Sequence, residues 1–325
     1  MTPPVLTSVA GPLPESLLAA RASLVARADS HDGVKPISDA ALLHTSPARE
    51  HLLWWREGVG GDPVGAAALA GYALVDQASG DVELVVDPDV RGRGAGTELL
   101  AAALAAGGRR CWARPVAAAA EALADRFGLV PQRQLLLQTL TVASNDPAGE
   151  SSIPAAWQVL PPGFILRRLN VEGSAADVRA LLRVNAAAFT ELPDQGGWTR
   201  ADVEARMSAP WFRAEDVLLL VDSAAAAAAA GDEGAELPDG RLAGFHWTKV
   251  HPDGSGEVYV LAIDPAYQGR GLSRPLLAAG VDHLARGGCV EIGLFVDADN
   301  AAAVSLYRRL GFTTRRTDVQ FAVSG

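Results

Sequence analysis

The sequence contains little cysteine, with only Cys111 and Cys289 among its 325 residues. Two cysteines are too few for a disulfide-stapled scaffold or for a zinc module held by several thiolates. We therefore expect no metal site. Such low cysteine content is typical of a reducing compartment, so a cytoplasmic protein is expected.

Positive charge is also scarce, because 28 Lys and Arg face 38 Asp and Glu, for a net charge of −10. A general nucleic-acid binder needs a basic face that displaces counterions from phosphates. We therefore expect no nucleic-acid partner. The charge balance still permits one small basic pocket for a phosphorylated ligand.

Long apolar runs are missing as well. The longest, 217–230, is mostly alanine and is interrupted by Asp222 and Ser223, so it is too short and too weakly apolar to span a bilayer. The first basic residue is Arg21, so the start lacks the charged segment of a secretory signal. We expect no membrane partner. No segment is a heptad repeat, and we expect a monomer.

An internal repeat is present. Asp264 and Gly271 lie 177 residues after Asp87 and Gly94, inside two segments of similar Gly/Arg-rich sequence. Each segment follows a strand-like apolar run and precedes a helical pattern. The length of 325 residues suits two domains. We therefore predict a duplicated domain of the α/β class.

The boundary is predicted near the turn-forming residues at 144–152. This gives an N-terminal domain at 1–145, a linker at 146–162 and a C-terminal domain at 163–325. Strand patterns predict that 134–142 closes the first domain and 318–323 closes the second. The stretch 223–240 lies between two strand-like runs, and is either a long loop or, through its alanines, a short surface helix.

The Gly/Arg loops are suited to holding a phosphate. Glycine lets the backbone approach an anion at positive φ, and the N–H groups at a helix start point toward it. The Gly-Lys-Ser/Thr ending of a P-loop is absent, and the glycine spacing is not that of a dinucleotide fold. A glycine-rich turn with solvated arginines is the alternative, which the repetition at a constant offset disfavours.

The loops at 91–96 (RGRGAG) and 268–273 (QGRGLS) resemble the acetyl-CoA pyrophosphate loop of the GNAT acyltransferase superfamily, Q/R-x-x-G-x-G/A. Ser273 departs from the last Gly/Ala of that pattern. A downstream signature, Asn300, Tyr307 and the run 310–312 (LGF), also agrees. The resemblance implies an α/β fold of two tandem GNAT domains, each a mixed, mostly antiparallel sheet flanked by helices. Acetyl-CoA would be the co-substrate, held between two splayed central strands.

The resemblance also implies which residues contact acetyl-CoA. In the first copy these are Leu84, Val85, Val86, Gly92, Arg93, Gly94, Ala95, Gly96 and Thr97. In the second copy they are Leu261, Ala262, Ile263, Gln268, Gly269, Arg270, Gly271, Leu272, Ser273 and Arg274. The downstream helix adds Asn300, Ala301, Ala302, Ala303, Val304 and Ser305. Asn300 alternatively caps that helix, or does both.

Acetyl transfer to an amine needs a base for the ammonium, a stabiliser for the oxyanion and an acid for the thiolate. We expect Glu257 to take the proton, directly or through water, and Tyr307 to protonate the sulfur. The N–H groups of 261–263 would polarise the thioester carbonyl. As alternatives, Glu257 is an exposed strand-end carboxylate and Tyr307 a core aromatic. Because neither signature contains a cysteine to carry an acyl group, we expect direct attack in a ternary complex.

The first copy differs at these positions. Counted by the offset of 177, or back from the terminal glycine of each copy, its counterparts of Glu257, Tyr307 and Asn300 are Gly80, Ala124 and Ala117. We therefore expect catalysis in the second copy. The first copy either binds acetyl-CoA without turnover or is structural.

Three runs, at 194–199, 244–252 and 256–261, resemble a tandem-domain branch of the superfamily that acetylates the cysteinyl amine of a small molecule. The resemblance implies a small-molecule amine acceptor contacted by Asp39, Asp194, Lys249, Glu257 and Phe295. Phe295 stands where the family can offer a tyrosine. Asp39 is alternatively a solvated residue at a helix start, and we expect Trp198 and Trp247 to pack rather than to line the cleft.

Two other functions stay open from the sequence. One is a GNAT enzyme for another amine, such as an aminoglycoside or a protein terminus. The other is an acyl-CoA-binding sensor without turnover, which the acid, base and Asn of the second copy disfavour.

Overall fold

The computed structural model describes residues 5–38, 41–42, 48–56, 69–142, 153–170, 175–223 and 241–324. The chain forms two compact units. The first, called the N-unit, comprises Met1–Leu136, Asp297–Asp299 and Arg316–Gly325. The second, called the C-unit, comprises Leu137–Val296 and Asn300–Arg315.

Within the residues that the structure describes, the first half of the chain forms these strands and longer helices. The strands are β1 (Val5–Ala10), β2 (Arg49–Trp55), β3 (Leu69–Asp76), β4 (Asp81–Val86), β5 (Arg110–Ala113) and β6 (Leu129–Thr141). The helices are α1 (Glu15–Asp32), α2 (Ala95–Ala105) and α3 (Ala118–Arg126), with a 3-10 turn at Pro88–Val90.

The second half repeats this order with insertions. Its strands are β7 (Phe164–Arg168), β8 (Val217–Asp222), β9 (Leu242–Val250), β10 (Gly256–Ile263), β11 (Glu291–Asp297) and β12 (Thr313–Val323). Its helices are α4 (Ala155–Gln158), α5 (Ala175–Ala188), α6 (Pro193–Gly196), α7 (Arg200–Met207), α8 (Ser273–Arg286) and α9 (Ala301–Leu310). Shorter 3-10 turns occupy Ala214–Asp216 and Pro265–Tyr267.

Each unit contains a mixed sheet, as predicted. Strands β1 to β4 form an antiparallel run, and β4 then pairs in parallel with β5. In the C-unit, β7 to β10 are antiparallel and β10 pairs in parallel with β11. Helices lie against both sheets, so the α/β class and the duplicated domain are confirmed.

The last strand of each half of the chain, β6 or β12, lies partly in the unit formed mainly by the other half, and not wholly in its predicted domain. The end of β12 belongs to the N-unit, where Val319 pairs with Ala113 and Ala322 with Arg110. Residues 137–142 belong to the C-unit, where the Val142 N–H donates to the Val290 carbonyl at 2.9 Å. The predicted domains, 1–145 and 163–325, differ from the units in these two segments and at Asp297–Asp299. A strand sequence predicts that a strand forms, but it does not say which sheet receives it.

The core of the C-unit covers both faces of its sheet. Phe245, Trp247, Val260 and Ala262 pack on the face covered by α5 and α7. Leu220, Ala243, Ile263 and Leu276 pack on the face covered by α8. Burial on both faces explains why β8 is a continuous apolar run, at 217–221, rather than an alternating one.

The repeat includes a hydrogen-bonded arginine–aspartate pair beside each Gly/Arg loop, called the brace. Arg27 donates to the Asp87 carboxylate at 2.9 Å and to the Leu69 carbonyl at 3.1 Å. Arg183 donates to the Asp264 carboxylate and to the Leu242 carbonyl. Both carboxylates also accept a backbone N–H two residues on, at 3.1 and 2.9 Å. Each brace fixes the end of the strand that leads into a Gly/Arg loop.

Two predicted segments fall largely outside the described residues. The loop or helix at 223–240 is described only at Ser223, and the linker at 146–162 only from residue 153 onward.

Candidate active site

The second Gly/Arg loop lies between β10 and α8. Gly269 and Gly271 adopt φ angles of +75° and +74°, values that side chains with a Cβ rarely adopt. Helix α8 begins at Ser273, and its N-cap residue Leu272 makes no side-chain capping bond. Uncapped N–H groups at a helix start are a binding site for an anion. Ser273 is accommodated as the first residue of the helix.

The first loop has the same form. Gly92 and Gly94 have φ angles of +75° and +95°, and α2 starts at Ala95 behind an N-cap glycine without a capping side chain. Arg91 donates to both oxygens of Asp32 at 2.7 Å, and this hydrogen bonding lowers the pKa of the Asp32 carboxyl. Arg93 is exposed. Both loops thus combine glycines at positive φ with a helix start that has no capping side chain.

Two arginines of the second loop stack on aromatic rings. The guanidinium of Arg270 lies 5.0 Å from the ring centroid of Tyr267, and that of Arg274 lies 5.3 Å from the centroid of Trp157. Gln268 is exposed beside them. The stacking holds two positive charges near the helix start, where phosphates would need them.

Strand β10 opens toward β11 beyond its first two residues. The parallel ladder covers only the pairs Gly256 with Ile292 and Glu257 with Gly293. Thr248 pairs with Val258 but Trp247 pairs with Val260, so Tyr259 is an extra residue that forms a bulge. Beyond that bulge, Leu261, Ala262 and Ile263 lie on a stretch of β10 with no ladder to β11. Their backbone is thereby placed along the gap between the splayed strands.

Glu257 lies at the mouth of this gap. Its side chain is 16% exposed, and its Oε2 lies 2.7 Å from Nε2 of His251. Its antiparallel partner on β9 is Lys249. The sequence argument did not single out His251, because it lies in the hairpin turn six residues before Glu257. A histidine next to a tight Asp-Gly-Ser-Gly turn was the available signal.

Tyr307 lies in α9 with its ring packed against Phe312, at a centroid distance of 5.9 Å. Burial raises the pKa of its phenol to about 12. Tyr307 is 8% exposed, so its ring is part of the core. Because of the raised pKa, its phenol is protonated at neutral pH.

Asn300 caps α9, because its Oδ1 accepts the Ala303 N–H at 3.1 Å. The cap uses one oxygen, and the side-chain amide is left for a ligand. The next residues form the exposed to half-buried first turns of α9: Ala301, Ala302, Ala303, Val304 and Ser305.

Lys249 is buried, at 4% exposure. Its ammonium lies 4.6 Å from the ring centroid of Trp211 and 5.5 Å from that of Tyr259. Because directly opposed residues share a face of a sheet, Lys249 and Glu257 point to the same side. The structure therefore places this cation against aromatic rings beside Glu257.

The other predicted acceptor residues are placed unevenly. Phe295 is 44% exposed, two residues after Gly293, the parallel partner of Glu257, so it shares the face of Glu257. Asp194 lies in α6, and its side chain is outside the described part. Asp39 also lies outside it. Trp247 is 1% exposed and Trp198 packs against it with centroids 6.2 Å apart, as expected for packing residues.

The comparison of the two units corrects one inference from the offset. Strand β4 pairs with β3 without interruption, Leu74 with Glu83, Val75 with Val82 and Asp76 with Asp81. Because β10 has one extra residue in its bulge, the offset before the bulge falls to 176. The counterpart of Glu257 is therefore Asp81, and the assignment to Gly80 was wrong.

The N-unit nevertheless differs from the C-unit at this position, because its carboxylate is paired with an arginine and not with a histidine. The Asp81 carboxylate accepts Nε of Arg110 at 2.9 Å, and Arg110 is its parallel partner, where the C-unit has Gly293. Ala124, the counterpart of Tyr307, is 3% exposed and carries no acid. The same unit contains a cavity of about 170 Å³ between β4 and β5, lined by residues that include Leu84, Val85, Val86 and Trp112.

No helix of the described residues is long and apolar enough to cross a membrane. Within the same ranges, no cluster of three or more His, Cys, Asp or Glu side chains is arranged to hold a metal ion.

Splayed parallel strands, a bulged strand that leads into a Gly/Arg loop and an uncapped helix start are the features expected of an acetyltransferase of the GNAT class. The model of the Acetyltransferase (GNAT) family matches the chain twice, at residues 23–129 and 196–312. The chain is 42% identical to a mycothiol acetyltransferase of Nocardia farcinica, over 93% of this chain and 92% of that protein. It is 39% identical to that of Mycolicibacterium gilvum, over 92% of both chains. This chain belongs to the mycothiol acetyltransferases of the GNAT family, and it is an acyltransferase.

A solved structure supports the tandem fold. The tandem GNAT protein from the clavulanic acid biosynthesis pathway, without acetyl-CoA, superposes with a TM-score of 0.67. The match covers 99% of both chains at 15% sequence identity. At that identity it shows the fold alone.

Proposed function

We propose that the C-unit transfers the acetyl group of acetyl-CoA to the cysteinyl amine of desacetylmycothiol, a cysteine–glucosamine–inositol compound, and so completes mycothiol synthesis. The acceptor follows from the name shared by the relatives. The observation that carries the proposal is the position of Glu257. This residue lies at the open edge of the bulged strand β10, in the same unit as the buried phenol of Tyr307.

The residues of the C-unit fit acetyl-CoA. The glycines at positive φ and the uncapped start of α8 suit a pyrophosphate, and Arg270 and Arg274 add positive charge. The edge of β10 at 261–263 suits an amide-containing arm, and α9 with its cap Asn300 would add contacts to the same molecule on the resemblance. When bound, acetyl-CoA supplies the acetyl group as a thioester and departs as a thiol.

The chain's own groups then act as follows. Glu257 takes a proton from the substrate ammonium at Oε1, directly or through one water, so that the amine becomes a nucleophile. Backbone N–H groups of 261–263 stabilise negative charge on the carbonyl oxygen. Tyr307 donates its phenolic proton toward the departing sulfur.

The acceptor binds on the face of the sheet shared by Glu257, Lys249 and Phe295. Carboxylates suit a cationic aminoacyl group, and Asp194 and Asp39 are assigned to it on the resemblance. Phe295 offers an apolar ring where related enzymes can offer a tyrosine hydroxyl.

The N-unit binds acetyl-CoA without turnover in this proposal. Its loop and its cavity between β4 and β5 support binding, whereas Arg110 occupies the carboxylate of Asp81. The donor is a cytoplasmic metabolite, so the reaction is placed in the cytoplasm. The proposal invokes a monomer, no metal and no nucleic acid.

The test is mass spectrometry of the products formed from acetyl-CoA and desacetylmycothiol. We expect a single added acetyl group on the amine, and a loss of turnover of about a hundredfold or more in Glu257→Gln. Glu291→Gln, on an exposed carboxylate at the start of β11, is the matched control. Preference for another amine in a panel would overturn the acceptor, and unchanged turnover in Glu257→Gln would overturn the base.

A further inference from the structure

The hairpin between β9 and β10 places a histidine next to Glu257. The turn is closed by the His251 N–H donating to the Ser255 carbonyl and the Gly254 N–H donating to the His251 carbonyl, both at 2.9 Å. Asp253 accepts the Ser255 N–H at 2.9 Å and its hydroxyl at 2.7 Å. Gly254 supplies the positive φ of +84° that this turn requires. The imidazole of His251 is therefore mounted on a well-bonded turn.

The contact with Glu257 joins two side chains. Nε2 of His251 lies 2.7 Å from Oε2 of Glu257, with the two side chains 25% and 16% exposed. Because an ionised carboxylate only accepts hydrogen bonds, a Glu257 that acts as a base requires the proton on Nε2 of His251. The histidine then holds one carboxylate oxygen, and Oε1 takes no part in this contact.

A second histidine–carboxylate pair with the same distance serves as a comparison, because it joins secondary-structure elements. Nε2 of His283 lies 2.7 Å from Asp216, whose side chain is 5% exposed. Nδ1 of that ring lies 3.3 Å from Arg168. The two ring nitrogens thereby join α8 to the 3-10 turn before β8 and to the end of β7. The His251 pair, in contrast, ends on the carboxylate at the open edge of β10.

We propose that His251 is a positioning residue that fixes the Glu257 carboxylate so that Oε1 meets the substrate amine. This inference rests on the proposed function of Glu257 as the base. Lys249, on β9, and Asp253, in the turn, are the neighbouring charged residues. A general base acts efficiently only when it is held within hydrogen-bond reach of its proton.

The experiment compares kcat and KM for His251→Phe, which keeps a ring without a donor, and His251→Gln, which keeps an N–H donor. We expect His251→Phe to lower kcat by about tenfold to a hundredfold, with the KM for acetyl-CoA within twofold. His251→Gln should recover most of that loss. His283→Gln is the matched control, expected to lower the melting temperature and to leave kcat within twofold.

A double-mutant cycle distinguishes a positioning role of His251 from a purely structural one. If His251 acts through Glu257, then His251→Phe in the Glu257→Gln background lowers kcat by less than twofold. A loss in that background equal to the loss in the wild type would overturn the proposal. So would a kcat within twofold of wild type for His251→Phe, or a folded His251→Gln no better than His251→Phe. Wild-type enzyme that acetylates no cysteinyl amine would instead overturn the proposed function.

Discussion

Replacing Tyr307 by phenylalanine removes one hydroxyl and keeps the ring that packs against Phe312. Burial raises the pKa of this phenol to about 12, so at pH 8, about four units lower, about one molecule in ten thousand is ionised. The phenol is thus present as an acid throughout the working range. General acid catalysis contributes about a hundredfold or more, which corresponds to about 2.7 kcal/mol of activation free energy.

We therefore expect Tyr307→Phe to lower kcat about a hundredfold at every pH from 7 to 10, with little change in the free energy of unfolding. Tyr72→Phe is the matched control in the N-unit. There the hydroxyl lies 2.7 Å from Nδ1 of His51, so its loss should cost about 1 kcal/mol of stability and leave kcat within twofold.

The assay is chromatographic measurement of CoA and acetylated product, because a cysteinyl acceptor carries its own thiol and would react with thiol reagents. The reasoning is refuted if Tyr307→Phe retains kcat within twofold. It is also refuted if the wild type shows a basic limb below about pH 10 that disappears in the variant, because a phenol with a pKa near 12 cannot produce one.

Three further outcomes are expected. Asp81→Asn should leave kcat within twofold and cost less than about 1 kcal/mol of stability, because its pair with Arg110 is about one third exposed; a hundredfold loss in product formation would show that the N-unit turns over. Burial lowers the pKa of His246 from 6.5 to about 4. Below pH 6.5 the unfolded chain therefore takes up a proton that the folded chain refuses, and stability falls by up to about 3 kcal/mol as the pH drops toward 4. Urea unfolding of His246→Gln should show a flatter acid limb, and an identical limb would contradict this. Gly280→Ala places a Cβ 2.0 Å from the His246 ring, so calorimetry should show a lower melting temperature even though alanine favours a helix by about 1 kcal/mol; an unchanged or higher value would contradict the clash.

The features that the sequence predicted best are those encoded locally. Four glycines of the two loops, Gly92, Gly94, Gly269 and Gly271, adopt positive φ, as their positions before a helix start required. Asp87 and Asp264 cap equivalent 3-10 turns, which explains why the offset of 177 holds so well at the loops. In these segments the turn chemistry alone determines the geometry.

The residue of the N-unit that corresponds to Glu257 could not be identified by counting along the sequence. A β-bulge adds one residue to β10 without a sequence signal that distinguishes it, since Val258, Tyr259 and Val260 are all good strand formers. Because of this shift of one position, counting residues gave Gly80, and not Asp81, as the counterpart of Glu257. His251 was hidden for a related reason, because its contact with Glu257 arises from the pairing of β9 with β10.

The exchange of closing strands has a consequence for synthesis. Residues 319–322, which pair with β5 in the N-unit, are synthesised long after the other strands of that unit. The N-unit therefore cannot complete its sheet until these residues have been made, although domains commonly fold in order of synthesis. Deletion of residues 319–322 would leave the edge of β5 unpaired. An unpaired edge of that kind recruits other strands, so a chain truncated before residue 319 favours aggregation through the N-unit.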